Sequence, residues 1–195
     1  MKKIIMGGLL LLSGAALAGD NKPFVMLDSS TERDSKSIAS EYIGANITVG
    51  VKTADKFEYS VKVGTSAKST SSEDTISNNL EFKVKKSFDV GMFFLPYVAV
   101  RLGEKLNSDT THFSHYAFDA GAKMPLSNGL SLDIGARYRN AFDSAESYRS
   151  TRYHAMFLYD VDQHNTVGLR YARSYSDVSD YEERKSWRVH YQRNY

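Results

Sequence analysis

The stretch Glu41-Tyr42-Ile43-Gly44-Ala45-Asn46-Ile47-Thr48-Val49-Gly50-Val51-Lys52 decides the fold. Ile43, Ala45, Ile47, Val49 and Val51 fall on one face, while Tyr42, Gly44, Asn46, Thr48 and Gly50 fall on the other. Side chains along a strand point alternately to opposite faces, so this run describes a strand between two different environments. The pattern recurs downstream. Phe57, Tyr59, Val61 and Val63 oppose Glu58, Ser60 and Lys62, and Leu80, Phe82 and Val84 oppose Glu81, Lys83 and Lys85. Leu130, Leu132, Ile134, Ala136 and Tyr138 oppose Ser131, Asp133, Arg137 and Arg139, and Trp187, Val189 and Tyr191 oppose Ser186, Arg188 and His190.

A soluble sandwich also alternates, but two features point elsewhere. The polar face carries full charges in mid-strand, and many segments reach ten residues, whereas a soluble strand averages about 5–6. A tilted membrane-crossing strand needs about 9–11. The connections also alternate in length. Ala54-Asp55, Phe88-Asp89, Ser127-Asn128-Gly129 and Asp162-Gln163-His164 read as short turns, with longer polar stretches between them at Ser66–Thr75, Glu104–Thr111, Asn140–Ser150 and Tyr175–Arg184. Short turns at one end and longer loops at the other describe a transmembrane antiparallel up-and-down β-barrel, an all-β fold. Counting back from the C-terminus gives ten strands, with eight or twelve as the other options. The first strand would be Lys22–Ser29, the loop Ser30–Ser37 and the second strand Ile38–Lys52. Pro96 lacks a ladder donor, so a bulge or a break in pairing is expected there.

The N-terminus reads as an export signal. Lys2 and Lys3 precede an apolar run, Ile4–Leu12, and Ala16-Leu17-Ala18 supplies a small-x-small cleavage pattern, so residues 1–18 would be removed and 19–195 form the barrel. Loss of the two lysines leaves 23 Lys and Arg against 23 Asp and Glu, a neutral chain, and a nucleic-acid partner loses its electrostatic support. Past the N-terminus no apolar run is long enough for a membrane helix. The sequence holds 0 Cys, which removes disulfides, cysteine-ligated zinc and thiol nucleophiles together. Its five histidines, His112, His115, His154, His164 and His190, come without Ser–His–acid spacing, an HExxH motif or a metal-ligand cluster. The reading is therefore of a non-enzyme, with no catalytic residue, metal or cofactor.

Trp187, Val189, Tyr191 and the terminal Tyr195 share a face and resemble the C-terminal assembly signal of Gram-negative outer-membrane β-barrels, with Arg193 and the final Tyr as departures. The resemblance implies the outer membrane as location, its lipid and lipopolysaccharide as surroundings, and the barrel-assembly machinery as a partner. Tyr59, Tyr138, Tyr153, Tyr159 and Tyr171 fall near strand ends on the apolar face and suit an interfacial girdle. Phe94-Leu95-Pro96-Tyr97, Asn128-Gly129-Leu130-Ser131-Leu132, Ala136-Arg137-Tyr138-Arg139 and Thr166-Val167-Gly168 also resemble stretches of the oligogalacturonate-specific porins. Those are longer twelve-stranded channels whose arginine-rich lumens pass acidic oligosaccharides.

Strand parity sends Lys62, Lys83, Lys85, Arg101, Lys123, Arg137, Arg139, Arg152, Arg170 and Arg188 inward, against Glu58, Glu81, Asp119, Asp133 and Asp160. Balancing acids fall in outer loops, among them Asp177, Asp180, Glu182 and Glu183. A basic lumen favours anions. The leading expectation is a narrow passive pore or solute-binding barrel for small anionic solutes, acidic sugars among them. The other is a non-conducting surface barrel, its interior filled by ion pairs, that acts through its extracellular loops.

Overall fold

In the computed structural model, residues 21–34, 41–69, 74–91, 93–108, 112–143, 149–176 and 182–195 are described. The expected signal segment 1–18 lies outside them, as do the loop residues Asp177 and Asp180. Ten strands follow in chain order: β1 (Lys22–Asp34), β2 (Glu41–Lys52), β3 (Phe57–Ser69), β4 (Asp74–Ser87), β5 (Leu95–Asn107), β6 (His112–Ser127), β7 (Leu130–Ala141), β8 (Arg149–Asp160), β9 (Asn165–Ser176) and β10 (Glu182–Asn194). Each pairs antiparallel with its chain neighbours, and β1 pairs with β10, which closes the barrel. That last seam runs from Phe24↔Asn194 to Asp34↔Arg184 and is extended by the Tyr195 amide, which donates to Pro23 at 2.9 Å. Closure leaves no unpaired edge, the condition for a sheet in hydrocarbon.

The alternating pattern sorts the side chains as the sequence requires. Ile47, Val63 and Val189 point outward and are 56%, 57% and 62% exposed. Polar residues of intervening parity, such as Ser60, Asp119 and Ser186, are buried inside. An outer wall this apolar around a polar interior inverts the arrangement of a water-soluble domain. Among the described residues no helix is long and apolar enough to cross a membrane.

Three expectations about the connections need correction. Strands continue into stretches expected to be loops, because Ser/Thr-rich arms still complete ladder pairs such as Lys68↔Thr75 and Lys105↔Phe113. β1 likewise runs through Ser30 to Asp34 instead of stopping at Ser29, and β2 begins at Glu41. The connections at this loop end shrink to residues 35–40, 70–73, 108–111, 142–148 and 177–181. At the opposite end, which carries both barrel termini and is called the terminal end below, residues 88–94 form a connection as long as any of these. The irregularity expected at Pro96 lies instead between Pro125 and Ser127, while the register through Pro96↔Ala122 is unbroken. Pro96 is the second residue of β5, where a missing donor costs little, and its carbonyl accepts from the Phe88 amide at 2.9 Å.

The turns explain their own sequences. Gly129 adopts φ 77°, a left-handed conformation that suits the two-residue Asn128-Gly129 connection. In the turn after β8, Asp162 Oδ1 accepts from the amides of His164 at 2.7 Å and Asn165 at 2.8 Å. These bonds and the Asn165 side-chain amide hold the Asp162 carboxyl below the usual aspartate range. A lowered folded-state pKa contributes stability that is complete above the ordinary aspartate range and is lost as the pH falls through the folded value. Asp162→Ala is therefore expected to speed amide exchange at residues 163–166 near neutral pH. The difference from the parent should shrink in acid.

Candidate functional site: a charged lumen

Register places Lys62, Lys83, Lys85, Arg101, Lys123, Arg137, Arg139, Arg152, Arg170 and Arg188 on the inward face, on β3 to β10. Lys52, Lys68, Lys105 and Arg184 share that face, as do the acids Asp28 and Glu32 of β1. Sequence reasoning missed these six. Lys68, Lys105 and Arg184 fell in stretches read as loops, and β1 is apolar on both faces over Phe24–Leu27. The alternation of Asp28, Ser30 and Glu32 carried the missing parity signal. Lys22, Asp34 and Glu182 hold inward positions at the strand ends as well, so among the described residues the register gives fifteen Lys and Arg against nine Asp and Glu, an excess of six where the sequence implies five.

Halfway along the barrel these charges interlock. Glu81, 1% exposed, accepts from Lys62 Nζ at 2.8 Å and from an Arg101 terminal nitrogen at 2.5 Å, with Arg139 at 3.7 Å and His115 Nε2 at 3.8 Å. Arg101 also donates through Nε to Asp119 at 2.6 Å, and Arg137 Nε donates to the other Asp119 oxygen at 2.7 Å. Four strands, β3 to β6, supply Lys62, Glu81, Arg101 and Asp119, and β7 supplies Arg137 and Arg139. The result is a belt of alternating charge across five adjacent strands. Arg152 extends the cationic wall, reaching Ser174 at 2.6 Å and Glu32 at 3.2 Å.

The belt divides the interior. Toward the loop end lies a cavity of about 230 Å³, bordered by Glu32, Lys68, Lys105, Arg139, Arg152 and Arg184. Toward the terminal end lies one of about 1010 Å³, reaching the turn residues Thr53, Asp89 and Asp162. Lys62, Arg137 and Arg188 border both.

The larger cavity has a polar cluster on one wall. Tyr97 Oη donates to Asp133 Oδ1 at 2.8 Å, His154 Nε2 lies 3.1 Å from the same oxygen, and Lys85 sits 4.2 Å above the Tyr97 ring. Two facing glycines, Gly121 and Gly135, make room for it: a Cβ at Gly121 would meet Tyr97 Oη at 2.5 Å, and one at Gly135 would meet it at 2.9 Å. A Cβ at Gly121 would also lie 2.4 Å from the Ile134 carbonyl oxygen, so Gly121→Ala should displace both the Tyr97 ring and the β6–β7 ladder and cost about 1–3 kcal/mol, measurable as a shift in the urea midpoint. His154 thus belongs to this cluster, while His115 is buried beside Glu81. Among the described residues no group of acids and histidines is arranged to hold a metal ion.

On the outside, Trp187, Val189 and Tyr191 are exposed in a row along β10. Arg193 continues the row with its guanidinium 5.5 Å from the Tyr195 ring. Tyr59 and Tyr159 lie near the terminal end, and Tyr138 and Tyr153 toward the loop end. Tyr171 departs from the expected girdle, lying mid-strand against Trp187 with ring centroids 4.9 Å apart.

No family model and no curated protein matches the sequence. Solved structures match the fold. An outer membrane channel from Pseudomonas putida F1 superimposes with TM-score 0.56 at 9% identity, covering 90% of this chain and 95% of that one. The translocator domain of the autotransporter NalP from Neisseria meningitidis gives 0.55 at 12% identity, covering 100% and 96%. The NanC porin gives 0.52 at 10% identity, covering 86% and 98%. The chain is a closed ten-stranded antiparallel barrel of the architecture found in Gram-negative outer-membrane proteins.

Proposed function

We propose that the protein is an outer-membrane barrel acting as a narrow, porin-like channel for small anionic solutes, with acidic sugars at the large end of that class. One observation carries the reading: an interior hollowed from both ends, with fifteen Lys and Arg against nine Asp and Glu at inward positions among the described residues. Low-dielectric walls focus that excess charge along the axis, which raises the local anion concentration. Lys62, Arg101, Arg137 and Arg139 would meet a solute at the belt. Arg152 would do so on the loop side, and Lys83, Lys85, Lys123, Arg170 and Arg188 on the terminal side. The exposed apolar band would face the lipid, and residues 1–18 would direct export and be removed. The assembly machinery would read Trp187, Val189, Tyr191 and Tyr195, and the loop end would meet lipopolysaccharide. This role involves no catalysis.

The belt itself favours a second reading, a non-conducting barrel closed by its ion pairs, whose loop end carries the function. Connections of four to seven residues at that end offer little surface to a partner. Liposome swelling separates the two. Vesicles holding the barrel should admit small organic anions faster than neutral sugars of equal size. Vesicles that remain impermeable to every solute would support the closed barrel.

A further inference from the structure

The terminal-half cavity contains more cation than its acids engage. Asp133 is taken by Tyr97 and His154, Glu58 by Lys83, and Asp160 by Thr166 at 2.7 Å. Asp28 faces His190 Nδ1 at 3.0 Å and Arg188 at 3.6 Å. Arg170 lines the same cavity, yet among the described residues it makes no ion pair and no side-chain hydrogen bond, and its Nε is buried without a partner. Arg188 stands directly opposite it across the β9–β10 ladder. Of the charges acting most strongly on Arg170, those of Arg188, Arg152 and Arg137 are positive and only Asp28 is negative. Like charges directly opposite in a sheet repel, and a buried donor without an acceptor is costly. An anion against Arg170 would relieve both. On the other side Arg170 pairs with Met156, and Leu158, buried and inward-facing, follows along β8. Both border the cavity, whose volume suits a small molecule.

We infer that Arg170 anchors a binding site for a small molecule that joins a carboxylate or phosphate group to an apolar portion and enters from the terminal end. The planar guanidinium takes the oxyanion through two parallel N–H donors, and the apolar portion lies on Met156 and Leu158. The site deepens the anion reading of the lumen, but occupancy does not require passage through the belt.

Calorimetric titration of the refolded full chain in uncharged detergent tests this, with benzoate and phenyl phosphate as probes and acetate as the probe lacking the apolar part. At least one aromatic probe should bind saturably, about tenfold or more tighter than acetate, and Arg170→Gln should weaken it by about tenfold. Arg173→Gln, which removes the same charge from the exposed face of the same strand, should leave affinity unchanged. Arg170→Gln relieves a repulsion, so its thermal midpoint should equal or exceed the parent's, which separates lost binding from misfolding. The assignment is overturned if neither probe binds saturably, if Arg170→Gln binds as the parent does, or if that variant unfolds at a lower temperature. The titration reads no conductance. A barrel that binds without conducting refutes the channel and keeps the site, and one that conducts anions without binding does the reverse.

Discussion

Glu81→Gln is expected to destabilise the barrel by about 3–5 kcal/mol, the cost of leaving a buried charge network without its acid. Glu81 is the point where Lys62 and Arg101 converge, with Arg139 and His115 close behind. Amide replaces carboxylate with little change of shape, so the loss is electrostatic. Lys62 and Arg101, which flank β4 and share one Glu81 oxygen, would be left beside each other with Asp119 alone to balance them. Urea unfolding in vesicles reads the effect. Replacing Glu81 and Lys62 together by leucine and methionine should recover part of it, since one of the two cations that Glu81 pairs goes with it while Arg101 keeps Asp119. A loss below about 1 kcal/mol for Glu81→Gln would mean that the belt is solvated like a surface pair. In a conducting barrel the same variant removes an acid from the belt, so the surviving channels should be more anion-selective than the parent's.

The second large effect lies on the opposite side of the wall. Ile47, Val100 and Leu169 sit near mid-strand with their side chains directed outward and exposed. Arginine at any of them should weaken folding into bilayers by about 2–4 kcal/mol, the cost of a guanidinium near the hydrocarbon midplane. Ser66, inward on β3 beside the loop-half cavity, should accept arginine at a fraction of that cost. Equal penalties at the two faces would show that the outer surface is not against lipid.

The strand pattern was legible because the two environments differ so sharply. Wherever an apolar residue alternates with a charged one, as along Leu80–Lys85, parity alone reports which face is inside. The same rule failed at Phe24–Leu27, where both faces are apolar. Phe24 and Met26 line the lumen near its terminal mouth, so hydrophobicity no longer distinguishes inside from lipid. Met156 and Leu158 blur β8 for the same reason. Strand ends were misjudged because Ser, Thr and Lys read as loop residues, although beyond the hydrocarbon layer a ladder needs only backbone pairing. The inward set was visible residue by residue, but the belt was not. That Glu81 joins Lys62 to Arg101 depends on cross-strand register, which fixes Lys62↔Glu81 and Lys83↔Arg101 as neighbours. Register follows from turn geometry and the bulge at Pro125, not from alternation.

The most direct test of the central claim is the reversal potential of single channels in planar bilayers under a potassium chloride gradient. An interior with this excess of Lys and Arg over Asp and Glu predicts discrete conductance steps and a reversal potential of the sign set by chloride. Neutralising Arg137 and Arg139 together should move it toward zero. A silent bilayer at every voltage and salt concentration, or a reversal potential of the sign set by potassium, would contradict the account.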